Sequence, residues 1–351
     1  MTKISPRIAI EGEGVDFLKG NYKIDGGLKS ATLTFSVPSQ LNSQRKLWNK
    51  EVTFFLNSED TAPIFRGWIK RLKEDYNEIQ IHAEDALGYL LKGGEQSEAI
   101  VALTEESNID GLTVGAAVKK LFELGKLDTK LGTSMIGDTT PVIGVTQAEP
   151  IRGTKKIMEV IKALLSRVVD NSGTIPRPNI ARLIDDGSMS QFIIELESDI
   201  DNDPIVHTYN EWDNIIEVSI LKRKVPTVIV VNGADGVKGT FTHDTAIAAF
   251  DRTYLEVSND DLKSGAECKD FAQKLFRANL KNQYEYKLTT MEGAYLSEND
   301  VISINTDNDE FSGTYRVIGK QIAFSPSEYK VGISINRKPP TLAEYISSRD
   351  N

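Results

Sequence analysis

The chain has little of the material from which catalytic and metal sites are built. Its 351 residues include one cysteine, Cys268, and three histidines, His82, His207 and His243. One cysteine excludes an internal disulfide and a cysteine zinc cluster, and histidines this far apart leave little for a metal site or a catalytic triad. We therefore predict no catalytic residue, no cofactor and no metal, and we expect a protein that is not an enzyme.

Long apolar runs and an excess of positive charge are also missing. No apolar run approaches the roughly 18 residues of a membrane-spanning helix, and the first residues lack an apolar core of signal-peptide length. Lysine and arginine total 41 against 51 for aspartate and glutamate, and this net charge of −10 is too acidic for a general nucleic-acid binder. With 40% hydrophobic residues, the composition predicts a soluble globular protein of about two or three domains.

The N-terminal region of the sequence predicts β structure. In Ala31–Val37 apolar and polar residues alternate, so Leu33, Phe35 and Val37 share one face of a half-buried antiparallel strand. A charged turn at Lys73–Asn77 lies between two apolar runs, as in a hairpin. The other strands predicted in this region are Val52–Leu56, Ile64–Leu72 and Glu78–His82.

The pattern becomes mixed after residue 93. Thr113 is a suitable N-cap for a helix over Val114–Leu124, and a sustained apolar stripe predicts a second helix over Ile157–Val169. Strands resume at Phe192–Leu196. Two further strands are predicted at Ile215–Leu221 and Val225–Val231.

A third helix and a set of strands follow. Ser264 and Glu267 match a capping box, in which each side chain accepts a hydrogen bond from the other residue's amide. This pattern predicts a helix over residues 264–280. The strands predicted after it are Tyr284–Leu288, Val301–Ile304, Tyr315–Ile318, Ile322–Phe324 and Val331–Ile335.

A short tail, residues 339–351, follows a proline break. Leu342, Tyr345 and Ile346 have helical spacing there but little of their own segment to pack against. We hypothesise that they dock on a neighbouring subunit.

Three segments resemble ligand-binding motifs only in part. Gly233–Gly239 has three glycines at the wrong spacing and no helix after it, so we interpret it as a turn between domains. Gly313–Lys320 lacks the spacing and the hydroxyl residue of a phosphate loop. The alternate aspartates of Asp199–Asp203 resemble the start of a calcium loop, but Pro204 stands where glycine is needed. A solvated acidic turn is favoured there, and metal binding stays open.

The remaining polar candidates have ordinary explanations. His207 and His243 are interpreted as surface or hydrogen-bonded residues, and Cys268 as a small buried thiol on the apolar face of a helix. Carboxylate pairs such as Glu105–Glu106 and Asp185–Asp186 are common at this composition. We interpret these pairs as exposed charge.

The β-rich ends of the chain contain a weak internal repeat. Phe65-x-Gly67 and Phe311-x-Gly313 each lead into a strand that turns and returns as a hairpin. The string is common, so the indication of a duplication comes from its position near the end of both β segments.

The arrangement resembles the central hub proteins of phage tail baseplates and related contractile injection systems, the late-control-D and VgrG-like group. The N-terminal segments that carry the resemblance are Leu28–Pro38, Glu51–Asn57 and Ala62–Leu91. The C-terminal segments are Ser264–Phe276, Gly293–Ile304 and Phe311–Arg337. The region 94–206 matches only by position.

The resemblance implies a β-rich α+β fold with two tube-like antiparallel β-barrel domains and an inserted mixed α/β middle domain. The first barrel would span residues 1–93 and be completed by about residues 207–232. The insertion would span residues 94–206, the second barrel residues 233–338, and the tail residues 339–351.

The resemblance also implies a structural role in the virion tail baseplate, assembled in the host cytoplasm. The chain would form a homotrimeric adapter that joins a six-fold tail tube, or a distal tail protein, to a three-fold central spike. It would contact other baseplate subunits and line a channel through which DNA passes without specific binding. Two alternatives stay open: a cell-wall polysaccharide-processing enzyme, and a carbohydrate-binding adhesin with exposed aromatics such as Trp48 or Trp212.

Overall fold

The structure is a computed structural model that describes most of the chain. The described residues are 5–25, 29–39, 47–88, 99–127, 131–136, 151–167, 169–170, 177–222, 224–260, 262–281, 284–309, 311–326 and 328–336. The tail residues Leu342, Tyr345 and Ile346 lie outside these ranges.

The N-terminal strands form what we call module one, residues 7–85. Alternating apolar residues such as Leu33, Phe35 and Val37 are buried on one face, as predicted for a half-buried strand. Its strands are β1 (Arg7–Ile10), β2 (Glu13–Val15), β3 (Lys19–Asp25), β4 (Thr32–Pro38), β5 (Glu51–Phe55), β6 (Phe65–Glu74) and β7 (Glu78–Asp85).

A middle unit, residues 99–196, follows with its own apolar core. The first predicted helix is confirmed: the Thr113 side chain accepts a hydrogen bond from the Ala116 amide at 3.2 Å, and the helix ends before Gly125. The unit contains β8 (Ile100–Leu103), α1 (Val114–Leu124), β9 (Gly153–Lys156), α2 (Ile157–Arg167), β10 (Val169–Asp170), β11 (Arg177–Asp185) and β12 (Ser190–Leu196).

The rest of the chain consists of strands interrupted by a small α/β unit, residues 225–281. Strands β13 (Ile205–Asn210) and β14 (Ile215–Lys222) come first. The small unit contains β15 (Val228–Asn232), β16 (Lys238–Thr242), α3 (Asp244–Phe250), β17 (Tyr254–Ser258) and α4 (Gly265–Lys281). The chain then forms β18 (Tyr284–Thr290), β19 (Val301–Asn305), β20 (Gly313–Phe324) and β21 (Tyr329–Asn336). We call β13, β14 and β18–β21 module two.

The predicted capping box is present at the start of α4. The Glu267 amide donates to the Ser264 hydroxyl at 3.2 Å, and the Ser264 amide donates to the Glu267 carboxylate at 2.9 Å. On the apolar face of α4, Cys268 is fully buried against the sheet of the small unit, as predicted for a small buried thiol.

One mainly antiparallel sheet of thirteen strands contains both modules, which share a single apolar core. The described pairings follow an open path from β14 to β2, with β19 and β13 branching from β20. Residues 207–232 were expected to complete the first barrel, and the observed pairing differs. Strands β13 and β14 pair with β19 and β18 of module two, while β15 pairs with β16 and β17.

Candidate assembly surfaces

Module one and module two contain strands in the same order. Across the sheet, module one has the order β3-β4-β7-β6-β5-β1, and module two has the order β14-β18-β21-β20-β19-β13. Strand β1 therefore corresponds to β13, β3 to β14, β4 to β18, and β5–β7 to β19–β21. One detail differs, because β1 is antiparallel to β5 whereas β13 is parallel to β19.

The long strands β6 and β20 carry the same irregularity. The last residue of β6 that pairs with β5 is Trp68, and the last residue of β20 that pairs with β19 is Arg316. One residue later each strand has a β-bulge in its pairing with the returning strand, between Ile69 and Arg71 in β6 and between Val317 and Gly319 in β20. Bulges at matching positions bend both hairpins alike.

The turns that lead into β5 and β19 also match. Asn49 and Asn299 have the left-handed φ values 60° and 79°, which asparagine adopts more readily than most residues. The Asn49 amide donates to the Ile69 carbonyl at 3.1 Å, and the Asn299 amide donates to the Val317 carbonyl at 2.9 Å. The two modules are thus similar at the level of individual backbone hydrogen bonds.

The alignment of β6 with β20 refines the weak internal repeat found in the sequence. Trp68 corresponds to Arg316, so Gly67 corresponds to Tyr315 and Phe65 corresponds to Gly313. The aromatic-x-Gly strings therefore lie in the correct pair of strands but are offset by two residues.

The two modules meet where β20 pairs antiparallel with the outer edge of β3. The Phe324 ring lies directly over Gly20, where a Cβ atom would collide with it. That ring also stacks on Phe54 of module one, with centroids 4.2 Å apart, and meets Phe17 edge-on at 5.4 Å. The position of module two that corresponds to Gly20 is Val218.

Module two has two strand edges that pair with no other described strand. Strand β14 pairs only with β18, and β13 pairs only with β19, in the part of the chain that the structure describes. Large apolar side chains are exposed on or between these strands at Ile205, Val206, Trp212, Ile216 and Leu221. Open edges that carry apolar side chains are sites of association.

Trp212 is the most exposed residue of this group. It lies in the turn between β13 and β14, and 86% of its surface is accessible. The turn is fixed in place, because the Glu211 amide donates to the Asn305 carbonyl at 3.0 Å and the Asn210 amide donates to the Asn214 side chain at 2.9 Å. Tryptophan is among the residue types most enriched at interface hot spots, so Trp212 is a candidate contact residue.

A buried ion pair attaches the middle unit to module one. The Arg66 Nε atom in β6 lies 2.6 Å from the Asp185 carboxylate in β11, and the Arg66 Nη1 atom lies 2.6 Å from Glu51. Only 13% of the Arg66 side chain and 6% of the Asp185 side chain are accessible. The interpretation of Asp185 as exposed charge is therefore wrong, whereas Glu105 and its neighbour Glu106 are exposed as predicted.

Hydrogen bonds attach the middle unit to module two. The Asn299 side-chain amide donates to the Glu195 carboxylate and to the Leu196 carbonyl, each at 3.0 Å. The Ser198 amide donates to the Asn299 side-chain oxygen at 2.7 Å. Because these partners are about a hundred residues away in sequence, only the folded chain reveals the contact.

A cavity of about 220 Å³ lies where the three parts meet. Burial raises the pKa of Asp85 to about 6, although that carboxylate accepts hydrogen bonds from the Ser30 hydroxyl and the Ala31 amide. Burial lowers the pKa of Lys320 to about 8, and its ammonium group donates to two carbonyls of the loop before β19. These groups hold loops together and show no arrangement of nucleophile and base.

The histidines occupy separate positions. His82 lies 3.1 Å from the Thr34 hydroxyl, and the His207 ring lies 3.4 Å from the Glu292 carboxylate. His243 caps α3 by accepting a hydrogen bond from a backbone amide at 3.2 Å, which confirms its interpretation as a hydrogen-bonded residue. Among the described residues there is no group of three or more histidine, cysteine and acidic side chains placed to hold a metal ion.

The three partial motifs form ordinary structure. Gly233–Gly239 contains the turn between β15 and β16, two strands of one sheet, so the predicted domain boundary at residue 233 falls inside the small unit. Gly313–Lys320 belongs to β20. In Asp199–Asp203 the first carboxylate accepts a hydrogen bond from the Asp201 amide, and the Asp203 carboxylate accepts one from the Asp199 amide, as in a closed acidic turn.

The fold is shared with solved structures of tail proteins. No protein-family model matches the chain, and no curated protein matches its sequence. A tail protein from Neisseria meningitidis MC58 has 12% identity and a TM-score of 0.65, with 96% of this chain and 97% of that chain covered. The 43 kDa tail protein of prophage MuSo2 from Shewanella oneidensis has 11% identity and a TM-score of 0.64, with 95% and 98% covered.

A third similar structure comes from a secretion system. It is an E. coli component of the type VI secretion system, described as structurally similar to the T4 bacteriophage tail proteins gp27 and gp5. Its identity is 11% and its TM-score 0.51, with 95% of this chain and 79% of that chain covered. The similarity to phage tail and injection-system proteins that the sequence predicts is thus confirmed at the level of the fold. No helix in the described ranges is both long and apolar enough to cross a membrane.

Proposed function

We propose that the chain is the structural hub of a phage tail baseplate or a related injection machine, located in the virion tail. It acts as a homotrimeric adapter between a six-fold tail tube, or a distal tail protein, and a three-fold central spike. Each module would correspond to one tube-like barrel, and residues 94–206 to an insertion between them. Other baseplate subunits would bind around this ring.

The observation that carries the proposal is the equal strand order of the two modules. Three chains with two equivalent modules each present six similar units, which allows a three-fold object to bind a six-fold one. The matching bulges in β6 and β20 and the matching Asn49 and Asn299 turns support the equivalence in detail. The near full-length similarity to two tail proteins supports the location.

The surface properties support a role carried by interfaces. Exposed apolar side chains concentrate on the open edges of module two, and a large subunit contact would bury them. Three chains of charge −10 would carry −30, so a channel between them would repel passing DNA and keep it from adhering. A channel lined by lysine and arginine would contradict this part of the proposal.

Native mass tests the assembly directly. A trimer of 38.9 kDa chains has a mass of about 117 kDa in light scattering or native mass spectrometry. Imaging of the tail particle should then place three copies in a ring between tube and spike. A protein that stays monomeric and occupies no ring position in the particle would overturn the proposal.

The exposure of Trp212 supports one second candidate, a carbohydrate-binding adhesin of the tail. A freely accessible indole is a common platform for sugar rings. Glycan binding by the isolated chain that is lost in Trp212→Ala would favour the adhesin. A Trp212→Ala variant that fails to assemble, with no glycan binding in the parent protein, would favour the hub.

A further inference from the structure

We propose that the open edge of β14 in one copy pairs with β6 of a second copy. This contact would repeat, between two chains, the pairing that β3 and β20 make within one chain. The inference rests on the proposed function, since it names the surface through which copies of the hub associate.

The correspondence between the modules leads to this pair of strands. Strand β3 corresponds to β14, and β20 corresponds to β6. Within the chain the outer edge of β3 is covered by β20. The outer edge of β14 pairs with no described strand, so the position that β20 fills in module one is open in module two.

The second strand of the proposed contact, β6, also has an edge without a described partner strand. In β20, one edge pairs with β19 before the bulge and with β3 after it, over Gly319–Phe324. In β6, the matching edge pairs with β5 over Phe65–Trp68, and in the described part of the chain no strand continues that ladder beyond the bulge. A strand equivalent to β3 would fit along this edge of β6. Strand β14 is the equivalent of β3, and β14 of another copy can therefore occupy the position.

The register of the proposed contact between β14 and β6 follows from the register of β3 and β20 within the chain. Gln321 of β20 lies opposite Lys23 of β3. The residue of β6 that corresponds to Gln321 is Lys73, and the residue of β14 that corresponds to Lys23 is Leu221. Lys73 of one copy is therefore placed opposite Leu221 of the next.

The side chains at these positions suit an interface. Leu221 is half exposed although it is a leucine in a strand, and the aliphatic stem of Lys73 is long enough to cover it. Edge pairing satisfies the backbone groups of both strands at the same time. Because the contact joins two different surfaces, it repeats head to tail, and a ring closes only when the rotation allows it.

Disulfide trapping tests the register. The full-length variant Leu221→Cys/Lys73→Cys places cysteines on the solvent face of both strands, and the native Cys268 is buried and gives little background. Under mild oxidation we expect a covalent ladder of dimer and trimer that ends at the trimer. Each single variant alone should give no such ladder, and an equal mixture of the two single variants should give dimers only.

A shifted pair is the matched control. Glu217→Cys/Lys73→Cys uses the same face of β14 four residues away, roughly 13 Å along the strand, which is too far for a disulfide. Equal cross-linking of both pairs would show random collision and overturn the inference. A trimer by mass without cross-links at the predicted pair would overturn it too, while leaving the proposed hub intact. A chain that neither cross-links nor exceeds the monomer mass would contradict the inference and count against the hub.

Discussion

The two modules have the same strand order and different surroundings. In module one the outer edges of β3 and β1 are covered, because β20 lies along β3 and β2 lies along β1. In the described part of the chain, a free edge remains at the end of β6, beyond its bulge. Among the described residues no strand covers the outer edges of β14 and β13 in module two, and these two strands expose apolar side chains. The comparison shows that one backbone plan can have its outer strands covered in one half of a chain and open for assembly in the other.

At corresponding positions of the two modules, the side chain differs according to what packs against it. Gly20 has no side chain because the Phe324 ring occupies that space, whereas its counterpart Val218 keeps one. Leu72 in module one corresponds to Lys320 in module two, where the ammonium group binds the loop before β19. The backbone therefore defines the module, and the side chains follow what packs against it.

Removing the ring that joins the modules should have the largest effect. Phe324→Ala deletes a buried side chain that stacks on Phe54, and we expect a loss of about 3–5 kcal/mol in the free energy of unfolding. Chemical denaturation at fixed protein concentration measures it. Tyr254→Ala removes a tyrosine that is 67% exposed and lies outside both modules, and it is the control, with an expected change below about 1 kcal/mol. Similar costs for the two variants would show that the modules do not depend on this contact.

The attachment of the middle unit to module one is the next test. Asp185→Asn removes the charge that pairs with Arg66 in a buried position, and we expect a loss of about 3 kcal/mol, because Arg66 would keep only Glu51 as an acidic partner. Thermal or chemical unfolding measures the change. Asp25→Asn, in an exposed pair with Lys23, should cost less than about 1 kcal/mol. Equal losses at both sites would mean that burial adds nothing to the Arg66 pair.

The difference between Leu72 and Lys320 predicts a pH dependence. The pKa of Lys320 is about 8 in the folded chain against an ordinary 10.5, so between these values the unfolded chain binds a proton that the folded chain does not. The free energy of unfolding should therefore rise with pH through this window, by at most about 3 kcal/mol. Lys320→Leu, which copies module one, should lack this part of the rise. Lys330→Leu, at an exposed lysine of β21, leaves Lys320 in place and should keep this part of the rise. A Lys320→Leu variant with the parental slope would contradict the prediction.

Local patterns in the sequence were sufficient for the elements and insufficient for their partners. The Thr113 cap and the Ser264 capping box depend on residues within one turn, and both are present in the structure. The pairing of β13 and β14 depends on strands about sixty to a hundred residues away, and the sequence pattern of β14 is the same whichever sheet receives it. That is why residues 207–232 were expected in the wrong module.

The same reasoning explains what was missed at the candidate surfaces. Arg66 and Asp185 are 119 residues apart, so no spacing rule links them. In the sequence the duplication gave only a weak repeat, because a bulge and a left-handed turn are backbone features that tolerate several residue types. The pair Asn49 and Asn299 was the available signal, since both asparagines stand just before a strand.

This asparagine pair gives the smallest and sharpest test of the comparison. At both positions alanine must adopt a positive φ while glycine does so freely, so the Asn→Ala variant should be less stable than the Asn→Gly variant by about 1 kcal/mol. Asn299→Gly should in addition lose the hydrogen bonds to Glu195, Leu196 and Ser198, which adds a separate cost of about 1–3 kcal/mol. Unfolding measurements on the four variants separate the two terms, because the difference between alanine and glycine reports the backbone alone. If that difference is large at one site and absent at the other, the two turns are not equivalent, and the correspondence of the modules fails at its most local level.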